Sequence, residues 1–141
     1  MTMVSVETRR KAAQLLLDFY DGRLTNHQLE DSWPSAETDP ALLAIYKGAW
    51  FLYSDLHPHY LSAEERRSYR IAKYVHRMLT FLRSQLEYQW KGFPLWRHER
   101  LLELFDSQRR KANRSGDTSV WPFYSKTDYI ATRAEIGKLR A

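Results

Sequence analysis

No cysteine occurs anywhere in the 141 residues of the chain. Disulfides, thiolate zinc sites, iron–sulfur clusters and a cysteine nucleophile are therefore excluded, and a reducing compartment is permitted. Glycine is scarce, at five residues. None of them builds a Gly-x-Gly-x-x-Gly fingerprint, a phosphate loop or a Gly-x-Ser-x-Gly elbow, and no His-Glu-x-x-His pair is present, so the reactions those motifs support have no local foothold. Strict apolar–polar alternation, internal repeats and low-complexity tracts are lacking too, which removes the usual signs of strands and solenoids. The most apolar stretch, residues 41–56, is broken by Lys47 and Gly48 and falls at the short limit of the roughly 17–25 residues of a spanning helix, so no membrane span is expected. The opening MTMVSVETRRKAAQLLLDFY places Glu7, Arg9, Arg10 and Lys11 where a signal peptide needs its apolar region. The expectation is an intracellular, cytoplasmic protein.

What is present points to helices. Apolar residues make up 43% and charged residues 28%, with a mean hydropathy of −0.62. A chain of this length can remove roughly two-thirds of its unfolded surface from water without a covalent staple. Residues 1–141 are expected to form a single all-helical domain. Ala12, Leu15, Leu16 and Phe19 recur at helical spacing before Gly22, with Arg9, Arg10, Gln14 and Asp18 assigned to the watery face. Thr25 opens a short second helix. Asp39 followed by Pro40 supplies an N-cap and a preorganised first turn for a third, largely buried helix over 41–56.

Ser62 and Glu65 form a capping box, and neither glycine nor proline follows until Gly92. One long central helix over about 62–90 is the reading, with Ile71, Val75, Met78, Leu79, Leu82 and Leu86 as its apolar stripe. About 28 residues at ~1.5 Å each would give ~42 Å, so such a helix must cross the domain, bend or project into a dimer. Its Tyr74, Phe81 and Tyr88 edge is the candidate homodimer face. A fifth helix runs from Pro94 to about Lys111, with Leu95, Leu101, Leu102, Leu104 and Phe105 as its apolar residues. Residues 112–126 are a loop or extended segment, with Trp121-Pro122-Phe123-Tyr124 laid over apolar surface, and 127–139 form a C-terminal helix. The fold class is thus all-α, a bundle of five or six helices.

Charge is split along the chain. Residues 1–60 sum to −3 and residues 61–141 to +8, giving the overall +5. Such asymmetry points to an anionic partner. Arg66, Arg70, Lys73 and Arg77 follow at i, i+4, i+7 and i+11 on one side of the expected long helix, and Arg109, Arg110, Lys111 and Arg114 form a second cluster. These eight residues are the candidate anion- or partner-binding set. Asp55, His57 and His59 are the one local group of metal-ligand types. Their i, i+2, i+4 order around the helix-breaking Pro58 does not suit a shared ion, so neither metal nor cofactor is expected. His76, beside the apolar stripe, reads as a half-buried histidine.

Aromatic residues are 14% of the chain, including Trp33, Trp50, Trp90, Trp96 and Trp121. Trp50 and Trp90 read as core, and the proline-flanked three as rings pinning loops. Missing catalytic motifs, divided charge and many Trp, Tyr and Arg residues favour a non-enzymatic protein that binds another protein, as an adaptor, an inhibitor or a toxin-neutralising immunity protein. A nucleic-acid-binding helical module using the basic face is the alternative. A metal-dependent enzyme centred on Asp55, His57 and His59 is the second.

Overall fold

The computed structural model describes residues 4–34, 39–52, 60–95 and 101–140. Within them α1 spans Val6–Tyr20, α2 Asn26–Ser32, α3 Pro40–Ala49, α4 Ala63–Arg67, α5 Tyr69–Leu82, α6 Ser107–Arg114 and α7 Lys126–Arg140. Short 3-10 turns cover Trp50–Leu52 and Thr118–Val120. There is no strand among the described residues, and the architecture is the expected all-helical bundle. No helix there is long and apolar enough to cross a membrane. Asp55, His57 and His59 lie outside the described residues, as do Trp96, Arg97 and Arg100.

The starts of the helices follow from side-chain oxygens that satisfy otherwise orphaned N–H groups. Thr25 and Gln28 close a capping box on α2, and Ser62 and Glu65 close one on α4. The Asp39 carboxylate accepts from the Ala41 amide at 3.2 Å, with Pro40 in the first turn of α3. The C-terminal α7 is one residue longer at each end than the expected 127–139.

The expected helix over 62–90 is not continuous. Ser68 has an extended backbone (φ −64°, ψ 123°), ending α4 and capping α5 through a hydroxyl that accepts from the Ile71 amide. A second serine ends α5: the Ser84 hydroxyl donates to the Phe81 carbonyl at 2.6 Å and accepts from the Leu86 amide. Serine competes with the helix for its own backbone groups, so it can interrupt a periodic apolar stripe without glycine or proline. The 14 residues of α5 rise ~21 Å, so it need not project from the bundle. The Tyr74/Phe81/Tyr88 edge is turned inward, with Phe81 and Tyr88 buried. A second copy would have to use another surface.

The expected fifth helix divides too. Residues 101–103 form a helical turn, 104–105 leave the helix, and Asp106 restarts it as α6 by accepting from the amides of Gln108 and Arg109. Helix therefore covers 112–114, within the stretch 112–126 expected as a loop or extended segment.

Two packing zones hold the bundle. In the first, α1 lies along α5 and contacts α2 and α3, burying Ala12, Leu16, Phe19, Leu29, Leu42, Ile45 and Val75. At its end sits Arg9, fully buried instead of facing water. Its Nε donates to Asp39 Oδ2 at 2.6 Å, Nη2 to Oδ1 at 3.1 Å and Nη1 to the Ser84 carbonyl at 3.2 Å. The guanidinium also lies over the Phe81 ring, 5.0 Å from its centroid. A buried cation is tolerable only with this degree of compensation.

The second zone is aromatic. Trp121 and Phe123 pack on apolar surface as expected and are fully buried there, between α5, α7 and residues 85–95. The Trp121 indole donates to the Tyr88 hydroxyl at 2.8 Å, which donates to the Gly92 carbonyl at 2.7 Å, and the Trp90 indole donates to the Phe123 carbonyl at 3.1 Å. Each ring thus buries apolar area while its polar handle is satisfied. Gly48 lets α3 approach this zone, since a methyl there would overlap the Trp121 ring. The Gly48 carbonyl accepts from the Tyr74 hydroxyl at 2.8 Å.

Candidate functional site

The break at Ser68 splits the first basic cluster. Arg66 belongs to α4, where its Nη1 donates to the Asp21 carbonyl at 2.9 Å and closes the C-terminal end of α1. Cations favour that end of a helix. Arg70, Lys73 and Arg77 remain on α5 and line a cavity of about 550 Å³. Its other wall is apolar, made by Phe51, Leu52, Ile71, Tyr74 and Leu95.

Each cation is held differently. Arg77, half-buried, donates from Nε to the Trp121 carbonyl at 3.0 Å and lies 5.8 Å from the centroid of the Tyr74 ring. Burial lowers its proton affinity, and the neighbouring Tyr129 and Tyr74 pull the other way. It stays a cation at neutral pH. Burial also pushes the Tyr74 phenol well above the usual tyrosine range, with Arg77 opposing. Lys73 is exposed and sits over the Tyr69 ring at 5.7 Å, and Arg70 is exposed. Among the described residues no carboxylate comes within ion-pair distance of Arg70, Lys73 or Arg77, and none lines the cavity. Three cations around one partly apolar hollow can hold an anion whose remainder is apolar.

The second cluster stands apart from this cavity. Arg109 donates from Nε to the Lys91 carbonyl at 3.3 Å, anchoring α6, while Arg110, Lys111 and Arg114 are exposed. Lys111 and Arg114 occupy the last turn of α6, where cations complement the helix dipole. Asn113, on the opposite face, is buried and locks α6 in place: its Oδ1 accepts from the Lys91 amide at 2.8 Å, and its Nδ2 donates to the Lys91 carbonyl and to Glu103. None of these residues lines the cavity. His76 is exposed, because it falls on the outer side of α5. No group of His, Asp and Glu able to hold a metal occurs among the described residues.

Just before α6, four of the apolar residues of the expected fifth helix are exposed. Leu101 and Leu102 are 52% and 39% exposed, Leu104 64% and Phe105 88%. A chain that ends its helical turn at 103 and restarts at Asp106 has no continuous face with which to bury all four. The signal in the sequence for this break is Asp106, an N-cap that starts a helix afresh. No protein-family model matches the chain, and no curated protein or solved structure matches it.

Proposed function

We propose that this chain works by binding another protein, with the Leu101, Leu102, Leu104 and Phe105 segment as the apolar centre of the contact and Arg110, Lys111 and Arg114 of α6 as its charged rim. One observation carries the reading: four large apolar side chains stand exposed within five residues, Phe105 at 88%. Contiguous exposed apolar surface beside polar residues is what protein contacts use, because its burial supplies affinity while the rim sets orientation and on-rate. The partner's chemistry follows, namely an apolar pocket edged by Asp or Glu. Adaptor, inhibitor and immunity-type roles all fit such a contact.

The test is capture from the native cell with the wild-type chain and with Phe105→Glu and Leu104→Glu. One protein lost in both variants, and forming a complex with the wild-type chain when both are purified, supports the reading. An identical set captured by all three chains overturns it. The same variants measured against RNA and duplex DNA at two salt concentrations address the phosphate-binding alternative, where affinity falls steeply with salt and does not depend on Phe105. A wild-type mass of two chains that reverts to one in Phe105→Glu would assign the segment to self-association instead.

A further inference from the structure

The cavity on α5 is separate from that segment and offers a different chemistry. We infer that it is a binding site for a small organic anion, a phosphate monoester or comparable dianion carried on an apolar, ring-sized group. The anionic end would be met by Arg70, Lys73 and Arg77, and the apolar end by Phe51, Ile71 and Leu95.

Arg70 and Arg77 are ~10 Å apart along the helix, with Lys73 between them. Flexible side chains from both ends and the middle can thus converge on one multi-oxygen head. Arg77 is already fixed, its Nε committed to the Trp121 carbonyl and its guanidinium beside Tyr74. That leaves its outer nitrogens oriented, which lowers the ordering cost of a contact. Among the described residues no carboxylate in the wall competes for the three charges. A bare inorganic anion would leave the Phe51, Ile71 and Leu95 side unfilled, and a neutral ring would leave three cations unmatched. The volume of about 550 Å³ lies within the range of small-molecule sites, and a partly desolvated Arg gains more from an anion than a solvated one. Gly48 and Tyr74 make the floor rigid by holding α3 against α5.

The site is tested by calorimetric titration of the full chain with phenyl phosphate, inorganic phosphate and phenol. Phenyl phosphate is expected to bind saturably, about tenfold tighter than inorganic phosphate, with no saturable binding of phenol. The double variant Arg70→Gln/Lys73→Gln changes two exposed side chains, so its thermal midpoint stays near wild type while phenyl phosphate binding weakens by about tenfold or more. Phe51→Ala, at a residue 58% exposed, weakens phenyl phosphate several-fold and leaves inorganic phosphate unchanged. Arg10→Gln, at an exposed residue of α1, changes neither. The inference is overturned if wild type shows no saturable binding, if phenyl and inorganic phosphate bind equally, or if Arg10→Gln weakens binding as much as the double variant does. Because none of these variants touches residues 101–105 or the cations of α6, this outcome and that of the protein-binding test are independent.

Discussion

Arg9 and Arg77 are the same residue in two regions, and their surroundings differ in one respect that decides their roles. Arg9 spends all three nitrogens inside the bundle, two on the Asp39 carboxylate and one on the Ser84 carbonyl. Arg77 spends one, on the Trp121 carbonyl, and no carboxylate answers its charge among the described residues. A buried cation with a full complement of acceptors is part of the architecture. A half-buried cation with one neutral acceptor, two more cations beside it and a hollow in front retains the capacity to bind something else. Local charge density along the sequence ranks these two regions the wrong way round for stability, since Arg9 sits in the half of the chain with net negative charge.

The largest expected effect comes from removing the carboxylate beside Arg9. Asp39→Ala leaves a buried uncompensated cation and strips α3 of its N-cap, and should cost about 3–5 kcal/mol in urea denaturation. A loss below ~1 kcal/mol would mean that Arg9 finds a substitute acceptor, and the distinction between the two arginines would fall. Gly48→Ala comes next. Its methyl would meet the Trp121 ring beneath the cavity, and overpacking of this kind costs about 1–3 kcal/mol. Arg77→Met should cost only ~1 kcal/mol, since the lost hydrogen bond is offset by relief of desolvation.

Tyr74→Phe separates the regions by pH. The folded state holds the Tyr74 proton more tightly than the unfolded chain does. The resulting stability is complete below the ordinary tyrosine value of about 10 and declines as pH rises above it. The variant should lose ~1 kcal/mol near neutrality and show a shallower decline between about pH 9 and 11 in denaturation curves. The smallest effect belongs to Arg70→Gln, expected to move stability by no more than ~0.5 kcal/mol, because the exposed side chain supports nothing in the fold.

Much of the architecture was readable from spacing and caps. The starts of α2, α3 and α4 follow from Thr25, Asp39 and Ser62, whose oxygens act locally and leave a signature within three residues. The interruptions at Ser68 and Ser84 were not readable in the same way. Serine within a helical pattern is usually tolerated, and whether its hydroxyl turns to cap or remains outside depends on tertiary contacts such as Arg9 on the Ser84 carbonyl. The break at Ser68 also shapes the candidate site. A continuous helix would have kept Arg66 in line with Arg70, Lys73 and Arg77. With the break, three of the four stay together around the cavity and the fourth closes α1. The fate of Leu101 to Phe105 was hidden for a related reason: periodicity shows that apolar residues could share a face, while the Asp106 N-cap shows that the chain turns before they do.

The Arg9 cluster joins residues 30 and 75 positions apart in the chain. Its hydrogen bonds need three segments docked together, so we expect most of its free energy to be gained after the rate-limiting step of folding. Weakening it should leave the refolding rate nearly unchanged and speed unfolding by almost the whole of the lost stability. In the lifetime of the native state, then, this one guanidinium is expected to behave as a latch, its closure slowing unfolding more than it speeds folding.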